Sequence, residues 1–278
     1  MRYFILTITG QLLTLIGSYA FSINVDTLSW IQKGSSFHYA SCNLIRSTKI
    51  NDNKLTLIRF NPSIFDVDLI EYKKSNLLKT PDYWVDSFNY NIVVNAGMYD
   101  LNDDQKHRFF MQNLGVINNP ILNPNAKGII AFNSIYDTIL NFDLFDLSTT
   151  SYADINKNYQ TIIQGFRLID DSGNPVFWDK NNQFCSMVVI AEDRLGFIYI
   201  IFCRSPLTHN QMTENLLSLD LGLRNAIYLE GGSKAAFSIS DGDFKMNKMG
   251  SYVSNYYPFD NNFKMPKFPN YIGFIKRN

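Results

Sequence analysis

The chain has 278 residues, 46% of them hydrophobic and 15% aromatic, which suits one large globular domain or two small ones with a substantial core. This composition excludes disorder over most of the length. Lys plus Arg and Asp plus Glu number 25 each, so no overall electrostatic field favours nucleic acid or an anionic membrane surface as a partner.

The N-terminus has the features of a secretory signal peptide. Arg2 precedes an apolar stretch from Tyr3 to Ile16, and the small residues Ser18 and Ala20 that a signal peptidase requires follow it. We expect cleavage after residue 20, which predicts a secreted or periplasmic protein with no membrane span after processing. An uncleaved anchor is the alternative, although the uninterrupted apolar length is below the roughly 20 residues that a spanning helix needs.

The first part of the mature chain predicts short antiparallel strands. Extended segments from Ser36 to Leu69 are separated by turn signals at 51–53 and 61–63. We therefore expect residues 21–90 to form an N-terminal β-rich portion.

One helix and several strands are predicted next. Thr80 and Pro81 have the pattern of a helix cap and a first helical residue, and this helix would run to Phe88. A strand follows from Asn91 to Asn95. Strands joined by tight loops are predicted in two further segments, Gly115 to Phe132 and Tyr159 to Ile169, the second with a turn at Gln164–Gly165.

The clearest hairpin of the sequence lies between Ser186 and Cys203. Its two strands are apolar on both faces, which indicates a central sheet covered on each side. The segment from Thr213 to Leu221 has helical spacing, with Thr213 as cap and Gly222 as stop, and it leads into a strand at Asn225. The pattern predicts a strand–helix–strand unit.

Three cysteines can form at most one internal disulfide in an oxidising compartment. Cys185 and Cys203 flank the hairpin, which favours their pairing over a bond with Cys42. Buried free thiols are the equally weighted alternative.

The stretch from Asn225 to Phe237, NAIYLEGGSKAAF, ends an apolar run in a carboxylate and two glycines. Glu230 would lie at the end of a buried strand, beside Gly231 and Gly232, whose amides can approach a ligand closely. A carboxylate in such a place can act as a base, a nucleophile or a hydroxyl acceptor. A tight turn with a solvated Glu is the alternative.

The segment around Asn95 and Gly97 has the same form, a strand that ends in a polar side chain and a glycine. Two such strand ends could face one pocket. Asn95 would offer a donor and an acceptor to a sugar hydroxyl or a phosphate oxygen. Its alternative role is to hold a turn by bonding its own backbone.

Arg167 is the best candidate for binding an anion, because it follows the Gln164–Gly165 glycine turn and its planar guanidinium grips phosphate or carboxylate. Arg204, directly after the second hairpin strand, is a second candidate, and Lys234 beside the double glycine is a weaker third. A surface salt bridge is the commoner role of a lone Arg.

One acidic loop supplies oxygens that suit calcium, although its spacing does not complete an EF-hand. We favour a solvated loop over a metal site there and expect no certain cofactor. The loop residues are Asp100, Asn102, Asp103 and Asp104. The histidines share no ligand spacing; they are His38, His107 and His209.

Taken in order, five segments between about Val93 and Phe237 resemble the phosphodiester glycosidase family. They read VVNAGMY, NLGVINN, IIQGFRLIDDSGNPVF, SMVVIAEDRLG and LGLRNAIYLEGGSKAAF. Two departures from the family pattern stand out. Glu230 lies where the family commonly has Asp, and Phe184–Ser186 lies where it usually has an Arg entering the hairpin strand.

The resemblance implies a glycosidase that cleaves between a sugar anomeric carbon and a phosphodiester or related glycosidic oxygen, acting on a carbohydrate or sugar-phosphate substrate. It assigns catalytic roles to Glu230, Arg167 and Asn95, and substrate binding to Gly97, Gln164, Gly231, Gly232 and Arg204. A non-catalytic envelope protein that binds a glycan or an anionic polymer is the alternative. An exported structural domain is a third interpretation.

For the architecture we expect an α+β fold, with a large mixed or mainly antiparallel sheet partly covered by helices in a single catalytic domain. Residues 91–278 would form the phosphodiester glycosidase-like core, with the aromatic and basic end from Phe259 to Asn278 docked on it. The assigned roles require Glu230 and Arg167 to converge on one cavity.

Overall fold

The computed structural model describes residues 28–48, 50, 52–100, 106–179 and 182–277. Its strands are β1 (Ile31–Lys33), β2 (Phe37–Asn43), β3 (Lys54–Phe60), β4 (Phe65–Glu71), β5 (Ile92–Asn95), β6 (Met111–Asn113), β7 (Val116–Asn119), β8 (Gly128–Ser134), β9 (Phe142–Asp146), β10 (Tyr159–Ile169), β11 (Cys185–Asp193), β12 (Ile198–Leu207), β13 (Leu223–Gly231), β14 (Ala236–Asp241), β15 (Phe244–Met249) and β16 (Asn270–Lys276). Its helices are α1 (Tyr72–Ser75), α2 (Pro81–Phe88), α3 (Tyr152–Asn158) and α4 (His209–Ser218). The predicted signal peptide and most of the acidic loop lie outside the described residues.

The strands form two antiparallel sheets. The larger sheet has 11 strands in the order β1-β2-β3-β12-β11-β13-β10-β6-β7, with β8 paired to β10 and to β9. The smaller sheet has five strands in the order β15-β14-β5-β16-β4. The prediction of a mainly antiparallel α+β fold in a single domain is confirmed.

The main hydrophobic core lies between the two sheets. It includes apolar side chains from both, among them Phe60, Val188 and Leu229 of the larger sheet and Val94 and Phe274 of the smaller one. Sheets packed face to face bury one face of each strand, and this core is the physical link between the two halves of the fold.

The other face of the larger sheet is also buried, as the doubly apolar hairpin predicted. Val188 and Ile190 of β11 point into the core between the sheets, whereas Met187 and Val189 join a second cluster that includes Leu216 of α4. Because alternate side chains of a strand point to opposite faces, β11 is buried on both sides. Helix α2 covers the outer face of the smaller sheet through Trp84 and Val85, and α3 packs beside β10 through Ile155.

Two helix starts show how capping residues set the boundaries. Helix α2 spans the predicted residues, with Thr80 at its N-cap and Pro81 at its first position. The predicted start of α4 at Thr213 is wrong, since that residue lies inside the helix. The helix begins earlier because Thr208 and Gln211 form a reciprocal capping box, in which the Thr208 side chain accepts from the Gln211 amide and the Gln211 side chain accepts from the Thr208 amide.

The predicted turn at Gln164–Gly165 is also wrong, because β10 continues through it for 11 residues. Gly165 lies opposite Gly128 of β8, and a Cβ placed on it would be 2.8 Å from Cγ2 of Ile227. Glycine here permits a close approach between neighbouring chains rather than a change of direction.

Both ends of the described chain are parts of the sheets. Strands β1 to β3 extend the larger sheet by pairing β3 with β12, whereas β4 forms an edge of the smaller sheet. Strand β16 from the C-terminal segment lies between β5 and β4, inside the smaller sheet. In the described residues, we find no helix of the length and apolar character that a membrane crossing requires.

Candidate active site

The end of β5 contacts the start of β14, which follows β13 and the double glycine in the chain. Oδ1 of the fully buried Asn95 accepts a hydrogen bond of 2.7 Å from the amide of Ala236, just beyond the double glycine. Nδ2 of Asn95 is buried and has no partner among the described residues. Asn95 therefore positions the chain that leaves Glu230 and retains an unused donor.

Glu230 is buried and only partly hydrogen-bonded. Its Oε1 accepts from the amide of Gly231 at 2.9 Å, while its Oε2 has no partner in the described part of the chain. Burial raises the pKa of Glu230 to about 8, and the Gly231 amide and the charges of Lys234 and Arg108 offset only part of this effect. The side chain is therefore mainly a neutral carboxylic acid at pH 7.

An open cavity of about 370 Å³ lies beside this carboxyl group, with the aromatic residues Phe166, Trp178 and Tyr228 in its wall. The Trp178 ring stacks on His209 with centroids 3.7 Å apart, and its Nε1 donates to the carbonyl oxygen of Arg167 at 3.0 Å. Burial lowers the pKa of His209 to about 4, so this imidazole is neutral at pH 7. The wall thus offers apolar ring surfaces of fixed orientation.

Gly231 connects the buried carboxyl group to this wall. A Cβ on Gly231 would overlap the Tyr228 hydroxyl and would lie 2.8 Å from Sγ of Cys185, and both of those residues line the cavity. Glu230 also interacts electrostatically with Tyr228 and with Cys185. The carboxyl group therefore lies directly behind these two wall residues.

Arg108 supplies the free positive charge at the cavity. It is exposed and lines the cavity, and its charge acts on Glu230 and Tyr228. Among the described residues its guanidinium has no hydrogen-bond or ion-pair partner and has one ring contact, with Phe109 at 5.9 Å. An unpaired guanidinium beside a cavity is well suited to bind a phosphate or carboxylate group.

The backbone that carries Arg108 is held firmly. The carbonyl oxygen of His107 accepts from Asn119 at 2.7 Å, and the amide of His107 donates to Asn118 at 3.0 Å. Burial lowers the pKa of His107 to about 4, so its imidazole is neutral at pH 7. This ring lies where a Cβ on Gly97 would be, 2.5 Å from Nε2, and Gly97 has a φ of 108°. Gly97 therefore makes room for the histidine.

The structure does not place Arg167 at the cavity. Its neighbour Phe166 lines the cavity. The Arg167 side chain instead passes Gly128, where a Cβ would be 3.1 Å from Cγ of Arg167, and forms an ion pair with Asp146. The two side chains are 11% and 1% exposed, so this is a largely buried pair. The expected convergence of Arg167 and Glu230 is not observed, since successive residues of a strand point to opposite faces of the sheet.

Arg204 and Gln164 are engaged in structural contacts as well. Arg204 donates to both carboxylate oxygens of Asp260, at 2.6 and 3.1 Å, and to the carbonyl oxygen of Met249 at 2.6 Å. The fully buried Gln164 donates to the carbonyl oxygens of Asn123 and Ala126 at 2.8 and 2.6 Å. Gly232 has a φ of 62°, and a Cβ on it would meet only open space.

Arg108 was not predicted as a site residue from the sequence. It lies in the basic run Lys106-His107-Arg108. That run follows an acidic loop and precedes two phenylalanines, which is the only signal that the sequence contains. Arg108 and Glu230 are far apart in the sequence, so their electrostatic interaction could not be predicted from it.

The sequence comparison assigns the family. Residues 88–275, about two thirds of the chain, match the phosphodiester glycosidase family. The chain belongs to this family. The match includes Asn95, Glu230 and the segment that carries Arg108. No curated protein matches the sequence significantly.

Solved structures with similar folds include two with TM-scores above 0.5. A hypothetical protein from Synechocystis has a TM-score of 0.57 and 13% identity, with 90% of this chain and 64% of that chain covered. The catalytic domain of zebrafish N-acetylglucosamine-1-phosphodiester alpha-N-acetylglucosaminidase, auto-inhibited by its pro-peptide, has a TM-score of 0.52 and 13% identity, with coverages of 90% and 82%. The chain therefore spans less than two thirds of the Synechocystis protein.

Within the described ranges, no group of three or more His, Cys, Asp and Glu residues is arranged to hold a metal ion. Cys42, Cys185 and Cys203 are free thiols, which is the alternative to the predicted pairing. Burial raises the pKa of Cys185 to about 11, so its thiol at the cavity wall stays protonated at pH 7.

Proposed function

We propose that this protein is a glycosidase that hydrolyses the bond between a sugar anomeric carbon and a phosphodiester or related glycosidic oxygen. One observation carries the proposal: Arg108, a guanidinium with no partner in the described part of the chain, lines an aromatic cavity, and the buried, protonated carboxyl group of Glu230 lies behind the wall residues Tyr228 and Cys185. The zebrafish relative is named for an N-acetylglucosamine 1-phosphodiester, and this substrate class fits a cavity with one cation and aromatic walls.

In this proposal the two parts of the substrate bind to different surfaces. The phosphodiester, with a single negative charge, binds to Arg108, which no group in the described part of the chain neutralises. The apolar face of the sugar ring packs on Trp178, whose orientation is set by its stacking on His209 and its hydrogen bond to the Arg167 carbonyl. Such positioning contributes to catalysis by holding the anomeric carbon in one place.

Glu230 then acts as a proton donor, because it is mainly neutral at pH 7. The bond from the anomeric carbon to the bridging oxygen breaks, and its electron pair stays on that oxygen, which takes the proton of Glu230. Water adds to the oxocarbenium-like carbon, and the proton that it releases returns through solvent to the Glu230 carboxylate, which restores the acid. The products are the free sugar and a phosphate monoester. Asn95 contributes through its unused Nδ2, which can orient a sugar hydroxyl.

The decisive experiment compares hydrolysis of an N-acetylglucosamine 1-phosphate methyl diester by the parent protein and by Arg108→Ala. Loss of one charge-assisted contact predicts a decrease in kcat/KM of about 10- to 100-fold. Lys245→Ala is the matched control, because Lys245 forms an exposed ion pair with Asp86 on the smaller sheet. Equal activity of the Arg108 variant and the parent would remove Arg108 from the mechanism.

A second candidate function is binding of a glycan without cleavage. It is favoured by the engagement of Arg167 and Arg204 in ion pairs, which leaves Arg108 as the free guanidinium lining the cavity in the described part of the chain. Saturable binding of the phosphodiester with no free sugar after prolonged incubation would support this function over hydrolysis.

We also propose that the protein is exported, secreted or periplasmic, because residues 2–20 have the charge, apolar stretch and small residues of a signal peptide. The test is the N-terminal sequence of the protein recovered outside the cytoplasm. A mature chain beginning at Phe21 is expected, whereas an intact N-terminus in the cytoplasm would contradict export.

A further inference from the structure

We propose that the cavity is the first part of a longer binding surface for a glycan chain, so that the ligand is an oligosaccharide or polysaccharide. The additional surface consists of Tyr252, Tyr256, Tyr257 and Phe259, which we call the aromatic platform. The proposal deepens the carbohydrate function proposed for the cavity and rests on it.

The platform exposes an unusual amount of aromatic surface. Tyr256 and Phe259 are 87% and 64% exposed, and Tyr252 and Tyr257 are 47% and 40% exposed. The Tyr257 ring contacts Tyr252 and Phe259 edge-on, with centroids 6.2 and 5.7 Å apart. Exposed aromatic rings gathered in one place mark a binding surface, because their burial releases more free energy than that of scattered apolar residues.

The platform is continuous with the cavity. Tyr256 lines the cavity together with its neighbours Ser254 and Asn255, although most of the Tyr256 ring is open to solvent. A chain of sugars that leaves the Trp178 side of the cavity would pass over Tyr256 and meet the remaining rings. This continuity identifies the occupant as an extension of the molecule in the cavity.

The platform is held in place despite its lack of helix or strand from residue 250 to residue 267. Arg204 binds both carboxylate oxygens of Asp260 and the carbonyl oxygen of Asn262. Asn255 accepts from the amide of Phe184 at 2.9 Å and donates to the carbonyl oxygen of Asn182 at 2.6 Å. A fixed backbone reduces the conformational entropy lost on binding. This gives Arg204 a positioning role near the site, different from the phosphate contact predicted for it.

The chemistry of the platform suits neutral sugars. Its rings can pack against the C–H faces of pyranoses, and its hydroxyl and amide groups, such as the pair of Asn261 and Tyr257 at 2.9 Å, can bond sugar hydroxyls. The carboxylate of Asp260 is neutralised by Arg204. The platform itself therefore presents no net charge that would select an acidic or a basic polymer.

The test measures affinity against chain length by calorimetry, with chito-, malto- and cello-oligosaccharides of one to six units. The parent protein should bind the tetramer of at least one series about 10-fold more tightly than its monomer. The double variant Tyr252→Ala/Phe259→Ala, at two platform rings that do not line the cavity, should lose this gain and keep the monomer affinity. Tyr136→Ala, a half-exposed tyrosine outside the cavity, is the control. The three substituted rings, at Tyr252, Phe259 and Tyr136, are exposed or half-exposed, so unfolding temperatures should stay at the parent value.

Two results of the oligosaccharide titrations would overturn the platform: no dependence of affinity on chain length in any series, or a double variant that loses monomer and tetramer binding equally. Sedimentation with phosphatidylcholine and phosphatidylglycerol vesicles tests a membrane instead. If the parent binds vesicles and the double variant does not, while both bind the oligosaccharides equally, the platform proposal is also overturned. Hydrolysis of the methyl diester is measured in parallel. Chain-length dependence without hydrolysis refutes the proposed glycosidase, and hydrolysis by both proteins without chain-length dependence refutes the platform alone.

Discussion

The substitution Glu230→Gln tests the central electrostatic feature of the site, because it removes the titrating proton and keeps the size of the side chain. The carboxyl group has a folded-state pKa of about 8 against 4.5 for a solvated Glu. Between these pH values the folded protein keeps a proton that the unfolded chain loses. The free energy of unfolding contributed by this group therefore falls as pH rises from about 4.5 to about 8.

The size of the effect follows from the two pKa values. At pH 7 the buried carboxyl destabilises the folded state by about 3 kcal/mol, and at pH 5 by less than about 1 kcal/mol, relative to a group that does not titrate. The Gln variant should therefore gain stability over the parent as pH rises, by about 2 kcal/mol between pH 5 and pH 7. Any fixed cost of the new amide cancels in this difference.

Urea unfolding of the parent and the variant at pH 5, 7 and 9 measures this difference, with the exposed Glu214→Gln as control. The same variant should lower the rate of hydrolysis by about two to four orders of magnitude, and parent activity should decline above about pH 8 as the acid is lost. A stability difference that does not change with pH would refute the raised pKa. Activity that rises through pH 8 would make Glu230 a base.

Three further substitutions test the framework around the site. Arg167→Ala should destabilise the fold by about 3–5 kcal/mol in urea unfolding, because it leaves the 1% exposed Asp146 carboxylate unpaired. Gly97→Ala should lower the unfolding temperature and reduce hydrolysis, since the φ of 108° and the position of His107 exclude a Cβ. Thr208→Ala should cost about 1 kcal/mol of stability with unchanged kcat/KM, because it removes the cap of α4.

Each of these has an outcome that contradicts it. An Arg167 variant that is as stable as the parent but inactive would return Arg167 to the substrate-binding role predicted from the sequence. A Gly97 variant with parent stability would show that His107 moves freely. A Thr208 variant that stays folded but has a lower kcat/KM would place α4 in the catalytic site through His209.

Local signals in the sequence predicted the elements that depend on neighbouring residues. The hairpin between Ser186 and Cys203 was recognisable from its continuous apolar strands, and α2 from Thr80 and Pro81. The start of α4 was misplaced because Thr208 and Gln211 carry a capping box that the apolar spacing of the later residues obscured. Gly165 was read as a turn, because a glycine required for close strand packing looks the same in sequence as one required for a turn.

The sequence by itself determined the family and the antiparallel α+β fold, since these follow from residue order and periodicity, and it predicted Glu230 at the end of a buried strand. Only the tertiary structure showed which of two arginines lies at the cavity. Arg167 forms an ion pair with the buried Asp146, whereas Arg108 lines the cavity and has no ion-pair partner among the described residues. The pKa of Glu230 was likewise decided by burial, because the free energy of a charge depends on the groups that surround it in space and not on its neighbours along the chain.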